Sequence, residues 1–292
     1  MTAPFSAQDV NRLAVLGSPI AHSKSPLLHE TAYAALGLPW EYQRHEIDVE
    51  RLGGFVAGLG RPWRGLSLTM PLKEAIAGAL DSIDAVATAS GSVNTVLIDY
   101  APDATRRLSG FNTDVYGMVT ALQRADVTAG LSALVVGGGA TARSAVVAAA
   151  HLGVEHVDIV LRSPAKAASV VAAAHASGLT TSVRALSDPA TAELEPGVTI
   201  STLPGGAGAS AVFAGARAPH TSTLLDVAYH PWPSEFGALW DAAGSTTVSG
   251  LAMLVHQAVA QIRVFLNGDP LLPLPDEEAV TRAMLQAAGL ES

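Results

Sequence analysis

A chain of 292 residues is long enough for two domains of ordinary size, and 49% hydrophobic against 15% charged residues lets it bury large cores rather than stay disordered. Acidic residues outnumber basic ones by 26 to 17, with no Lys/Arg cluster, which argues against nucleic acid as a main partner. No cysteine is present, which excludes a disulfide framework, a thiolate nucleophile and a Cys-based zinc site; the nine histidines show no metal-ligand spacing, so no metal is expected.

The stretch Met1-Thr2-Ala3-Pro4-Phe5-Ser6-Ala7-Gln8-Asp9 has neither a basic segment nor a long apolar core and is not read as a secretory signal. Residues 12–16 predict a buried first strand entering the loop Gly17-Ser18-Pro19-Ile20-Ala21-His22-Ser23-Lys24-Ser25-Pro26. A helix over 27–36 stops at Gly37, the mostly polar residues 41–47 fit an edge strand, and Asp48 caps a helix through Leu59. A short strand over 65–69 runs into Met70-Pro71-Leu72-Lys73, and helical stretches over 73–79 and 84–89 precede a strand over 92–98. Residues 105–108 read as a hairpin arm before Gly110-Phe111-Asn112-Thr113-Asp114.

From Val115 the pattern becomes regular βα alternation, with strands near 132–136, 156–161, 181–185, 198–202 and 223–227. Ala-rich helices or Gly/Pro loops such as Pro204-Gly205-Gly206-Ala207-Gly208 separate them, which predicts a parallel sheet covered on both faces. Leu131 to Val154 is long and apolar, but its glycine turn and central Arg143 argue against a membrane span. Gly250 begins an apolar helix to about Leu266, and a last helix spans 277–286. Neither has a strand of its own to cover, so both are expected to return to the first domain. The expected fold is α/β: a first α/β domain over 1–114, completed by 250–292, and a Rossmann-like doubly wound domain over 115–249, in a cytoplasmic protein.

Gly137-Gly138-Gly139-Ala140-Thr141-Ala142-Arg143 follows one apolar run and opens an Ala-rich one, the strand–turn–helix context of a dinucleotide-binding loop. Gly137 lets the chain turn tightly, Gly139 lets backbone approach a pyrophosphate, and Ala142 lets the helix pack close to the strand. Free N–H groups at the helix start face the phosphates. The next strand ends at Arg162-Ser163, with Lys166 close behind, whereas Asp158 lies mid-strand. An acid at that tip accepts from a ribose 2′-OH and an Arg accommodates a 2′-phosphate, so NADP is expected over NAD. A solvated basic loop is the alternative reading.

Four polar clusters stand at strand ends or in loops: Ser23/Ser25, Thr69/Lys73, Asn94/Thr95 and Asn112/Asp114. Two serines at alternate positions of an extended segment point the same way and can bind one carboxylate. Singly, each cluster also fits a bland role: a Ser-Pro turn, a surface lysine, turn asparagines, an aspartate capping the helix from Val115.

In combination and order they resemble the motifs of shikimate dehydrogenases. Beside the loop from Gly17 to Pro26, Ser67-Leu68-Thr69-Met70-Pro71-Leu72-Lys73, Ser92-Val93-Asn94-Thr95 and Gly110-Phe111-Asn112-Thr113-Asp114 carry the likeness. So do the glycine loop, Asp226-Val227-Ala228-Tyr229 and Gly250-Leu251-Ala252-Met253-Leu254-Val255-His256-Gln257. The resemblance implies NADPH-dependent reduction of 3-dehydroshikimate to shikimate by a monomer or homodimer. It implies Ser23 and Ser25 as carboxylate ligands with Thr69 nearby, Lys73 and Asp114 as the catalytic pair, and Asn94, Gln257 and Tyr229 as further substrate contacts. The resemblance also implies that Thr202, Gly250 and Met253 stand beside the cofactor. Ser67 stands where many members have Asn, Leu161 and Ser163 replace residues that commonly flank the phosphate-binding Arg, and Ile200-Ser201-Thr202 departs from the usual Asn-Ala-Thr string. A quinate/shikimate dehydrogenase using NAD, or a ligand-sensing member of the fold, are the alternatives.

Overall fold

The apolar strand β1 (Arg12–Gly17) is buried from Leu13 onward, which suits the interior of a sheet and not its rim. In the computed structural model, which describes residues 9–127, 132–204 and 222–290, it pairs on both sides. The amino-terminal stretch up to Gln8, Leu131 and the loop residues 205–208 lie outside the described residues. The chain divides into two compact units: one of residues through Thr88, Ser92–Thr113 and Val255 onward, the other of Ala89–Gly91 and Asp114–Leu254.

The first unit holds a mixed sheet of β1, β2 (Glu41–Glu46), β3 (Trp63–Leu68), β4 (Ser82–Ile83), β5 (Thr95–Tyr100) and β6 (Arg106–Phe111), in the order β2-β1-β3-β5-β6-β4. β2 and β3 run parallel to β1, β5 runs antiparallel to β3 and β6, and β4 runs parallel to β6. The polar β2 is an edge strand, with Tyr42 its one buried residue. Between these strands lie helices α1 (Ser25–Leu36), α2 (Val49–Ala57), α3 (Leu72–Ala75), extended by a 3-10 turn at Ile76–Ala79, and α4 (Ala85–Ser90). Asp48 caps α2 by accepting from Arg51 N–H, and Gly37 ends α1 in the left-handed conformation. Leu16, Leu66, Leu68, Leu72, Ile76 and Val96 share one core.

Two details differ from the sequence reading. The strand expected from residue 92 begins at Thr95, because Val93 N–H turns to the Lys73 carbonyl (2.8 Å). The two-residue β4 is too short for any alternation to register.

The second unit contains α5 (Thr113–Gln123, from Asp114 on), β7 (Ala133–Val136), α6 (Ala140–His151), β8 (His156–Leu161), α7 (Ala168–Ala176) and β9 (Thr180–Ala185). Beyond them come β10 (Val198–Ser201), β11 (Thr223–Asp226), α8 (Glu235–Ala242) and β12 (Thr246–Ser249). Its sheet is parallel throughout, in the order β12-β11-β10-β7-β8-β9, the doubly wound arrangement with the order reversing beside β7. β12 was not foreseen: four residues run straight into the apolar helix α9 (Gly250–Asn267), whose pattern swamps them. From Val255, α9 belongs to the first unit, as does α10 (Glu277–Ala288), which packs on α1. Arg263 of α9 binds Glu277 of α10 through both carboxylate oxygens. Burial raises the Glu277 pKa, but the bonds from Arg263 outweigh it and hold the carboxyl below its ordinary range.

Candidate active site

In the first unit the carboxyl ends of parallel β1 and β3 lie on one sheet edge with the start of β5 and the end of β6. Backbone bonds tie their loops together: Thr69 N–H to Leu16 O (2.9 Å), Ser18 N–H to Met70 O (3.0 Å) and Leu68 N–H to Asn94 O (2.7 Å). Asn94 N–H in turn reaches Phe111 O (3.0 Å). Gly17 permits the close approach, since a Cβ there would lie 2.3 Å from Thr69 Cγ2. The edge thereby gathers the Ser23/Ser25 loop, Thr69, Lys73, Asn94 and Thr113.

The two serines are not arranged as expected. Lys24 has helical dihedrals (φ −88°), so the segment is not extended; Ser25 is the first residue of α1 and Ser23 Oγ accepts from its N–H (3.3 Å). The fixed φ of Pro26, near the start of the helix, favours that conformation. Ser23 is half-buried, and the buried Ser25 side chain hydrogen-bonds Tyr42. Lys73, in the short α3, is half-buried.

Asn94 and Gln257 do meet. Asn94 Oδ1 accepts from Thr113 N–H (2.8 Å) and Thr95 Oγ1 (2.8 Å), which turns its Nδ2 to Gln257 Oε1 (3.3 Å). One turn along α9 from Gln257, Gln261 joins the same cluster through Thr95 Oγ1 (3.0 Å) and Asn94 O (3.2 Å). Its Oε1 takes Ser67 Oγ (3.0 Å) and His29 (3.1 Å). Ser67 also accepts from Tyr42 OH (2.6 Å), and His29 bonds Tyr33 OH (3.0 Å). Burial pushes the His29 pKa down to about 3 and the Tyr42 and Tyr33 phenols up, so all three rings are neutral near pH 7. Sequence reasoning passed over His29, Tyr42 and Gln261. The available signal was polar residues at four-residue spacing: Ser25, His29 and Tyr33 on α1, and Gln257 and Gln261 on α9.

The second unit places its expected residues at the carboxyl ends of its strands. Gly137 follows β7, Arg162 and Ser163 follow β8, Thr202 follows β10, Val227 to Tyr229 follow β11, and Gly250 follows β12. Gly137 has φ +133°, and Thr202 donates its hydroxyl to Val136 O (3.0 Å). Gly250 starts α9 where a Cβ would lie 2.2 Å from Val227 O. Gly139 is the N-cap of the twelve-residue α6, with no side-chain cap and no acidic residue in the first turn, and Ala142 is fully buried. That leaves a helix start suited to a diphosphate. Arg162, Ser163 and Lys166 are exposed at the β8 tip, whereas Asp158 pairs within the sheet with Arg184 (3.6 Å). Asp226 accepts from Ala228 N–H (3.2 Å) and shapes the turn carrying Tyr229. Burial raises the pKa of both, so the Tyr229 phenol keeps its proton. Met253 and Asp114 are buried, and Asp114 lies in the first turn of α5. Among the described residues no group of side chains fit to hold a metal ion occurs, and no helix is long and apolar enough to cross a membrane.

The chain resembles the crystal structure of the shikimate dehydrogenase of Mycobacterium tuberculosis, with 38% identity, 96% of this chain and 99% of that one covered, and a TM-score of 0.81. The chain belongs to the shikimate dehydrogenase family. It is an oxidoreductase of that family's two-domain α/β fold with a Rossmann-like domain. A shikimate 5-dehydrogenase from Mycobacterium fortuitum is 40% identical over 94% of this chain and 98% of its own, at a TM-score of 0.79. The shikimate 5-dehydrogenase of Thermus thermophilus, solved in complex with NADP(H) and shikimate, is 30% identical over 95% of this chain and 99% of its own, at a TM-score of 0.78. The model of the shikimate dehydrogenase substrate-binding domain matches residues 15–96, which hold Ser23, Ser25, Thr69, Lys73 and Asn94.

Proposed function

We propose that the protein catalyses the reversible, NADPH-dependent reduction of 3-dehydroshikimate to shikimate, a step toward chorismate and the aromatic amino acids. The observation that carries this reading is one sheet edge bearing hydroxyls, amides and a lysine, in a chain 38% identical to a shikimate dehydrogenase. A polyhydroxylated ring with a carboxylate asks for that donor set. Ser23, Ser25 and Thr69 would bind the carboxylate end, and Asn94, Gln257 and Tyr229 the ring hydroxyls.

The nicotinamide supplies or receives the hydride. The ketone oxygen, left with negative charge as its carbon is reduced, takes a proton from the Lys73 ammonium, and the neutral amine is reprotonated from solvent. In the oxidative direction the amine takes the hydroxyl proton, so one residue serves as acid and base. Asp114 would orient Lys73 and accept from a substrate hydroxyl. Gly137 to Ala142 would cradle the diphosphate, with Thr202, Gly250 and Met253 alongside. Arg162, assisted by Ser163 and Lys166, would hold the 2′-phosphate; the absence of an acid at that tip and the engagement of Asp158 by Arg184 favour NADP over NAD.

Initial rates with shikimate or quinate, each with NADP or NAD, test this. Preference for shikimate with NADP is expected. Comparable rates with quinate and NAD would reassign the reaction and make Arg162 a surface residue. No turnover with any pair would sink the activity.

A further inference from the structure

Of the two serines assigned to the substrate carboxylate, Ser23 is the one with a proton to give. Its Oγ accepts from Ser25 N–H (3.3 Å), which leaves its own O–H for an outside acceptor. Tyr42 spends its proton on Ser67 and takes that of Ser25, so Ser25 donates to a ligand only by giving up Tyr42. Ser23 stands in the loop between β1 and α1, where its N–H closes a turn on Ile20 O (3.0 Å). The edge strand β2 holds that turn from outside. Arg44 donates from Nη1 to Ala21 O (2.8 Å), and Glu46 Oε1 accepts from Ser18 Oγ (3.4 Å) near the start of the loop. Alternation along β2 puts Tyr42, Arg44 and Glu46 on one face, with Tyr42 meeting the Ser25 side chain and the other two meeting the loop before it. β2 runs parallel to β1 with Arg44 opposite Val15, so Arg44 stands toward the carboxyl edge that gathers the proposed substrate ligands.

We infer that Arg44 is a positioning residue for substrate: by holding Ala21 O from the sheet edge it fixes the turn that aims the Ser23 hydroxyl at the substrate carboxylate. The inference rests on the proposed activity, which makes Ser23 a carboxylate ligand. A guanidinium on a main-chain carbonyl is a charge-assisted bond, and Arg44 is exposed, so its removal frees the turn without opening the core. A freed turn samples more conformations, and the substrate must then order it on binding, at a cost in affinity. Dinucleotide affinity is spared, because the residues proposed to bind it belong to the second unit.

A double-mutant cycle between Arg44 and Ser23 tests this, with KM for shikimate, KM for NADP and kcat measured beside calorimetric titration of shikimate and thermal melting. Arg44→Met keeps much of the stem without a donor, and Arg44→Lys keeps a charged donor for Ala21 O. Arg44→Met should raise KM and Kd for shikimate about fivefold or more, the scale of one charge-assisted bond, with kcat and KM for NADP within about twofold. Arg44→Lys should stay within about twofold of wild type throughout. Ser23→Ala should raise KM for shikimate by itself, and adding Arg44→Met to it should raise KM no further, because the turn then aims nothing. If Arg44→Met does not fold, the shorter neutral Arg44→Gln takes its place in the cycle. Unchanged KM for shikimate in the Arg44 variant, or an equal rise with and without the Ser23 hydroxyl, overturns the inference while the activity stands. Unchanged KM in Ser23→Ala takes Ser23 off the carboxylate and overturns the inference as well. A wild-type protein that neither binds nor oxidises shikimate overturns both the inference and the activity.

Discussion

His29 lies flat against Tyr42, ring centroids 3.9 Å apart and planes within 11°, with Tyr33 set edge-on at 5.6 Å. This sandwich admits only the neutral imidazole, since desolvating a cation there has no carboxylate to offset it among the hydrogen-bond partners of His29. The pKa of about 3 expresses that cost.

Stability should therefore depend on pH through this ring. The unfolded chain takes up the His29 proton near pH 6.5, whereas the folded one resists to about pH 3. The contribution is complete above about pH 6.5 and declines as pH falls toward 3, by up to about 1.4 kcal/mol per pH unit. Urea unfolding at pH 8, 7, 6 and 5 should show a shallower decline for His29→Gln than for wild type below pH 6.5. The variant should be less stable at pH 8 through its poorer packing. Parallel pH profiles would mean that His29 does not resist protonation.

Lys73→Ala should lower kcat by a factor of about 10² or more while raising KM for shikimate far less, the pattern of a lost acid/base group. Lys73→Arg should not restore the rate, because a guanidinium keeps its charge but does not release a proton near neutral pH. Steady-state kinetics in the oxidative direction check this. Retained kcat in Lys73→Ala would remove the residue from the mechanism.

What the sequence made legible was local or repetitive. The Asp48 cap, the Gly37 stop, the strand–glycine–helix unit at Gly137 and the parallel alternation after it each depend on neighbours within a few residues. Asn94 and Gln257, read from motifs, meet at 3.3 Å. The buried cluster around Gln261 was invisible because its partners are joined only by folding: Gln261 bonds Ser67 across 194 positions and His29 across 232. Ser25 was misjudged in conformation because alternation presupposes an extended segment, while helix α1 claims Ser25 as its first residue.

Arg162→Leu should raise KM for NADP about tenfold or more and leave KM for NAD within about twofold. The guanidinium gives charge-assisted bonds only where a 2′-phosphate is present. Kinetics with both dinucleotides at fixed shikimate measure the ratio. An equal change for both would place Arg162 elsewhere than at the 2′ position.

Gly137→Ala should destabilise the second unit in two separable ways. The residue sits at φ +133°, where an L side chain is strained, and its Cβ would approach Thr202 Oγ1 to 2.1 Å. That hydroxyl cannot simply swing aside without giving up its 3.0 Å bond to Val136 O. Backbone strain of this kind costs about 1–3 kcal/mol, and the steric clash adds to it. The double variant Gly137→Ala with Thr202→Ala removes the clash and not the strain, so it should recover only part of the loss. Urea unfolding of wild type, both single variants and the double variant separates the contributions. Full recovery in the double variant would show that the positive φ carries no cost; no recovery would show that Thr202 does not crowd the turn.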